Sequence, residues 1–348
     1  MTSRTQIHSI LILLLLLSAG ISDSLTIVAV GDIMMGSNYP VNMLPPNDGK
    51  DLYEDVADIL SSGDLTIGNL EGVIMDGGVC AKKTEKGKVY AFRTPPSYAW
   101  HLSEAGFDFM NLANNHMNDF GPHGVESSKQ ELAACGIVCG GFGGEIGRFE
   151  INGVNIAIAC FATSPGADVI TDIIGAQRKV ARLARANDVV IVSFHGGGEG
   201  LGYLHTRDTF EYFLGQPRGN VVEFSRAVVD SGADFVWGHG PHVPRAIEIY
   251  NSRLIAYSLG NFCTWGFNIG EERGYAPMLR IVVDSTGVLM RGEIVSALQK
   301  PDRSLVIDEQ HNAARLMARL SRQDFPESAP YITETGSIVA WPENREDR

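Results

Sequence analysis

The chain alternates apolar runs with short polar punctuation, and six of the runs end in a polar or acidic tip. Residues 26–32 close on Asp32, 65–71 on Glu71, 109–116 on Asn115 and His116, 189–195 on His195, 235–242 on His239 and His242, and 255–261 on Asn261. Near-continuous runs rich in Val, Ile and Leu suit strands buried on both faces. The pattern therefore predicts an α/β fold whose open sheet brings the strand ends, and the side chains they carry, to one crevice.

Between these runs the apolar positions take helical spacing. Residues 52–60 place Leu52, Val56, Ile59 and Leu60 on one face and stop at Ser61-Ser62-Gly63. The same spacing predicts helices over 96–105, 125–134, 177–186 and 221–230. Two-residue alternation replaces it elsewhere. Segments 149–151 and 154–161 flank Asn152-Gly153, a strong hairpin signal. Segments 246–250 with 254–259, and 278–283 with 288–295, predict two more hairpins. No linker interrupts the chain before about Lys300, so residues 23–300 read as one domain and 301–348 as a C-terminal extension holding one helix near 312–320. Residues 196–220 are Gly-rich, carry Tyr203, Phe210, Tyr212 and Phe213, and directly follow His195. A segment of this kind is a lid over the crevice or a surface insertion.

With 348 residues, 44% hydrophobic and 20% charged, the chain is long and apolar enough for a sizeable core. The net charge of −13 argues against a nucleic-acid partner. It leaves an anionic small-molecule or polymer substrate open, because bound cations invert a local field. Residues 1–22 have their own logic: Arg4, an aliphatic run over 10–17, then small Ser18, Ala19, Gly20 and Ser22. This is the layout of a signal peptide, and its apolar run is shorter than the ~20 residues a membrane span needs. Export with cleavage near Ser22 is the expectation, and an uncleaved anchor the alternative. The cysteines number five, an odd count. Cys80 with Cys135 or Cys139 is the pair to test, and Cys160, inside an apolar run, reads as a small buried hydrophobe.

Hard oxygen donors mixed with imidazoles are what a divalent-metal site needs. Each tip alone has an ordinary reading: Asp32 a turn former, Glu71 a solvated carboxylate, Asn115 a cap, His195 a structural imidazole. The conjunction at separate strand ends favours the metal site. His239 and His242, three apart in a loop stiffened by Pro241, can present both rings to one metal pair. Asn69 and Asn261 sit at tips as supporting donors. His101, His123, His205 and His311 lack this context and read as surface residues, with His205 placed to touch substrate if the lid closes. The chain has no nucleophile elbow, P-loop or dinucleotide fingerprint.

Six motifs in order carry a family resemblance: Gly31-Asp32-Ile33-Met34-Met35-Gly36, Asn69-Leu70-Glu71-Gly72, Phe92-Arg93-Thr94-Pro95-Pro96, Asn111 to Gly121, Gly238-His239-Gly240-Pro241-His242-Val243 and Tyr257-Ser258-Leu259-Gly260-Asn261-Phe262. Over roughly residues 25–265 the chain resembles the CapA (poly-γ-glutamate capsule synthesis) family, which is related to the calcineurin-like metallophosphoesterases. The resemblance implies a four-layer α/β/β/α sandwich and a site for two divalent metal ions, Mn, Fe or Zn. It makes Asp32 a ligand of the first metal, Glu71 the bridging ligand, Asn115 a ligand of the second, and His116 the catalytic residue beside it. His195, His239 and His242 complete the set, with Glu199 retained near the substrate. It implies either phosphoesterase-type hydrolysis by a metal-activated water or an accessory role beside membrane polymer-synthesis proteins. Three motifs depart from the pattern. The Asp-X-His start is here Asp32-Ile33-Met34, both aromatics of the stretch after His195 are glycine (Gly196 and Gly200), and Gly240 replaces the middle His of the histidine motif.

Overall fold

The computed structural model describes residues 24–82, 90–300, 302 and 304–339. The leader assigned to residues 1–22 lies outside them. In chain order the strands that build the two main sheets are β1 (Leu25–Met34), β2 (Leu65–Leu70), β3 (Phe109–Asn111), β4 (Val138–Gly140), β5 (Ile146–Ile151), β6 (Val154–Ala162), β7 (Val189–His195), β8 (Phe235–His239), β9 (Ile247–Tyr250), β10 (Arg253–Ala256), β11 (Asn261–Thr264), β12 (Met278–Val283), β13 (Leu289–Val295), β14 (Tyr331–Ile332) and β15 (Ser337–Val339). The α-helices are α1 (Ala57–Leu60), α2 (Tyr98–Glu104), α3 (Gly121–Ala134), α4 (Ile173–Ala184), α5 (Val221–Asp230) and α6 (Asn312–Asp324).

The strands form one nine-stranded sheet, ordered β14-β15-β13-β12-β1-β2-β3-β4 with β11 also paired to β1, and one seven-stranded sheet whose main path is β9-β10-β8-β7-β6-β5, its seventh strand being the short Asp168–Val169 paired to β6. Three apolar clusters fix the layering. Leu25, Ile27, Ile67 and Phe109 of the first sheet meet Ile156, Ile191, Phe235 and Trp237 of the second. The outer face of the first sheet packs Val28, Val30 and Ile33 against Leu60, Leu102 and Leu132 of α1, α2 and α3. The outer face of the second packs Val190, Val192 and Val236 against Val180 of α4, Phe224 and Val228 of α5, and Leu316 and Leu320 of α6. The result is the four-layer α/β/β/α sandwich that the resemblance implied. Trp237 Nε1 donates to Val30 O across the middle layer at 2.8 Å, a polar link between the sheets.

Local chemistry explains where elements stop. Asn152 (φ 53°) and Gly153 (φ 80°) make the expected two-residue hairpin between β5 and β6. The strand expected over 107–113 is shorter, because Asn111 Oδ1 accepts from Ala113 N at 2.9 Å and turns the chain. The helix expected over 52–60 shrinks to α1. Its first residues run as tight turns (Leu52 N to Gly49 O 3.2 Å, Val56 N to Tyr53 O 3.0 Å) that still bury Leu52, Tyr53 and Val56. Asn261 opens β11 rather than closing a strand. Residues 304–339, set apart above as an extension, are integral to the body: α6 covers the second sheet, and β15 pairs with β13. No helix among the described residues is long and apolar enough to cross a membrane. All five cysteines are free, so the pairing of Cys80 with Cys135 or Cys139 is not made, and Cys160 is fully buried as expected.

Candidate metal centre

Strand register puts the polar tips in two facing rows. Across the first sheet Asp32 lies level with Asn69 and with Asn261, and Asn69 with Asn111. Across the second, His195 lies level with His239. Both rows sit at carboxyl ends of parallel strands, where open α/β sheets bind ligands. A buried amide chain ties them together. Asn69 Nδ2 donates to Asp32 Oδ1 (2.8 Å), and Asn111 Nδ2 and Asn114 Nδ2 donate to Asn69 Oδ1 (2.8 and 3.1 Å). Asn111 Nδ2 also lies 3.1 Å from His239 Nε2, which Ser193 Oγ meets at 2.8 Å. Nδ1 of His239 faces His195 Nδ1 (3.3 Å) and Asp32 Oδ1 (3.9 Å).

His242, at φ 59°, turns its ring back over Asp32. Its Nδ1 lies 3.0 Å from Asn261 Oδ1 in a hydrogen bond, and 3.0 Å from Asp32 Oδ2 at an ion-pair distance without hydrogen-bond alignment. Its Nε2 points toward Glu71 Oε1 (3.7 Å) and Glu199 Oε2 (3.9 Å). His116 engages Asp119 Oδ2 through Nδ1 at 2.9 Å, with Lys82 Nζ bridging Asp119 Oδ1 (3.0 Å) and the ring (3.2 Å). Its Nε2 lies 3.8 Å from Glu71 Oε1. Gly240 has φ 106°, and a Cβ there would come within 2.9 Å of His195 Nε2. The absence of the middle histidine therefore lets the His195 ring lie against the loop.

The residues present could hold divalent metal. Asp32 Oδ2, both Glu71 carboxylate oxygens, Asn115 Oδ1 and His195 Nε2 are buried without a hydrogen-bond partner. Unsatisfied buried polar atoms are costly and demand an explanation; these five fall on expected ligands, while others, such as Tyr53 Oη, Ser225 Oγ and Arg280 Nε, lie elsewhere. Two sets have ligand atoms within 4.8 Å of one another: Asp32, His195 and His239, and Asp32, Glu71 and His242. Asp32 belongs to both groups.

Charge follows from burial. Burial first, then the charge of Asp32, pushes Glu71 up to about 8 against the pull of His242. Burial alone would lower His242, but the carboxylates of Glu71 and Asp32 outweigh it and hold the ring up at about 9. Burial would likewise raise Asp32, and His242 reverses it, so Asp32 lies below its usual range. Burial drives His116 and His239 down to about 4 and His195 well below its ordinary value. Metal-free protein is therefore expected to melt at lower temperature as pH rises from 6 to 9. The folded state holds protons on Glu71 and His242 up to about 8 and 9, whereas the unfolded chain releases them near 4.5 and 6.5. Toward acid the lowered histidines act oppositely, and their contribution is lost as pH falls from 6.5 through about 4. Metal takes the place of the His242 proton, so Mn²⁺ should flatten the alkaline slope. A scan with chelator that stays flat from pH 6 to 9 would contradict this charge assignment.

Asn69 bonds to Asp32, Asn261 to His242, and Glu199 Oε2 lies 3.9 Å from His242 Nε2. His101 was read as a surface residue, but it is buried and bonded to Asp48 O at 2.7 Å, because α2 packs it against that loop. His205 points away from the centre and pairs with Asp324 at 2.7 Å. Sequence reasoning missed Asn111, Ser193, Asp119, Lys82 and Arg218. The first two were findable as polar residues inside otherwise apolar strands, and Asp119 as an acid three residues after His116. The segment 196–220 folds over the second sheet's end as a 3-10 turn (Leu201–Tyr203) and a hairpin, Glu211–Phe213 with Gln216–Gly219. Arg245, fully buried, anchors it by gripping both Glu211 oxygens (3.0 Å) and Gly198 O (2.9 Å).

Comparison with known proteins adds a family to this geometry. Residues 26–264 match the family described as bacterial capsule synthesis protein PGA_cap. The capsule biosynthesis protein CapA of Bacillus anthracis is 28% identical over 69% of this chain and 60% of its own, and the PGA biosynthesis protein CapA of Bacillus subtilis strain 168 is 29% identical over 69% and 63%. The chain thus spans somewhat under two thirds of these relatives. Among solved structures, a 5'-nucleotidase precursor from Thermus thermophilus superposes with a TM-score of 0.45 at 13% identity, covering 86% of this chain and 59% of its own. With the motifs, their convergence and a match over more than half its length, the chain belongs to the PGA_cap family of bacterial capsule synthesis proteins.

Proposed function

We propose that this protein is an exported, metal-dependent hydrolase of phosphoesterase type, acting on an anionic substrate in the synthesis of an extracellular polymer of the poly-γ-glutamate kind. The observation that carries the proposal is the set of orphaned buried atoms on Asp32, Glu71, Asn115 and His195, together with two ligand groups that share Asp32. Asp32, His195, His239 and Asn115 would hold one ion, and Asp32, Glu71 and His242 the other. A divalent pair there supplies Lewis acidity toward an oxyanion and lowers the pKa of a bound water.

The chain's own groups do the rest. Asn69, Asn111 and Ser193 orient Asp32 and His239, as outer partners of ligands do. His116 is neutral at pH 7, because burial holds it down at about 4. With Nδ1 engaged by Asp119, its Nε2 accepts a proton before it gives one. It would take the proton of the attacking water and hand it to the leaving oxygen. Elemental analysis of the purified chain should find about two Mn, Fe or Zn, and a panel of phosphomonoesters and phosphodiesters should register turnover. Metal without turnover would favour an accessory role, the part named in the "polyglutamine synthesis accessory protein" of Mycobacterium tuberculosis, 29% identical over 69% of this chain. Absence of metal at neutral pH would overturn the reading.

A further inference from the structure

Arg218 enters the centre from outside the strand-tip pattern. It stands on the second strand of the Glu211–Phe213/Gln216–Gly219 hairpin and is only 3% exposed. Gly197 N donates to its carbonyl at 2.9 Å, which ties the hairpin to the segment just after His195. Its guanidinium pairs with Glu199, while its Nε is buried with no partner. The other oxygen of Glu199 lies 3.9 Å from His242 Nε2, so the pair borders the metal ligands, and the charge of Arg218 acts on both Asp32 and Glu71.

A structural role does not account for this cation. The neighbouring Arg245–Glu211 pair already anchors the segment, its two terminal nitrogens meeting three acceptor oxygens. Arg218 pairs with Glu199 and lies 5.7 Å from the Phe213 ring centroid, and its Nε, like that of Arg245, has no acceptor. Burying a guanidinium is costly unless its hydrogen bonds are met. Placing it beside a seat for divalent cations adds repulsion that an intervening anion relieves. The fork of a guanidinium matches two oxygens of a carboxylate or phosphoryl group, and a carboxylate is what Glu199 now lays against it. Glu199 is the more exposed of the two, with 17% of its side chain accessible against 4% for Arg218.

We propose that Arg218 binds an oxyanion of the substrate, and that Glu199 is an internal carboxylate occupying that seat until the substrate displaces it. The inference rests on the metal-centre reading above. The shared chemistry is an oxyanion; phosphoryl and carboxylate sources are separated by the test.

The full chain loaded with Mn²⁺ is titrated calorimetrically with inorganic phosphate and, separately, with glutarate, while metal content is measured in parallel. Arg218→Gln should weaken binding of the responding probe by about tenfold or more at unchanged metal content, and Arg218→Lys should recover only part, since it keeps charge but loses the fork. Glu199→Gln should tighten binding several-fold, because the competing carboxylate is gone; a merely structural pair predicts no gain. The probe that responds identifies the source. Wild-type binding of neither probe, binding indifferent to Arg218→Gln, or weaker binding in Glu199→Gln would each overturn the inference while leaving the metal centre standing. Wild-type protein that takes up no metal removes both. If Arg218→Gln fails to fold, the Glu199→Gln titration decides alone.

Discussion

Asp32→Asn is expected to strip the centre of both ions, lowering metal content from about two per chain to near zero. The reason is geometric: Asp32 belongs to both ligand groups, whereas His195, His239, Glu71 and His242 each belong to one. The amide keeps the shape that Asn69 holds through its Nδ2, so loss of folding does not explain the result. It removes the charge and replaces one oxygen by a non-ligating nitrogen. His195→Ala and His242→Ala should each cost about one ion, since each leaves its own group with two of its three members and the other group whole. Elemental analysis after dialysis, with melting curves alongside, reads all three. Full metal content in Asp32→Asn would refute the shared-carboxylate arrangement.

The second large effect is kinetic. His116→Ala should lower turnover on the order of 10²–10⁴-fold, the usual worth of a positioned acid–base group, with metal content unchanged because His116 is in neither ligand group. Asp119→Asn should produce a smaller loss and shift the pH profile, since it alters the partner of His116 Nδ1 while leaving the ring in place. Equal turnover in His116→Ala and wild type, at equal metal content, would exclude His116 from proton transfer.

Legibility differed by length scale. The residues that gather at the centre were visible because each ends or follows an apolar run, and parallel register then brings strand ends level without further instruction. The hairpins were visible because Asn152-Gly153 specifies its turn locally. Arg218 carried no such signal: it lies in a polar, Gly- and Pro-containing loop, and only the pairing of that hairpin carries it inward. Which carboxylate joins the two ligand groups was equally hidden, because it depends on how the His242 backbone at positive φ aims a ring. The C-terminal part was faint for another reason. Its strands are two and three residues long, too short to show alternation, and α6 interleaves arginines with the Ala, Leu and Met it buries.

The position of β1 has a consequence for orientation. It is the first described strand, yet it lies in the middle of the nine-stranded sheet, with Leu25 at its amino end and Asp32 near its carboxyl end. Seven residues of extended chain at about 3.3 Å each separate the two by roughly 23 Å. Whatever precedes Leu25 therefore joins the body at the pole opposite the histidines. A chain held to a surface by that end would turn its reactive face outward, a body's length from the point of attachment.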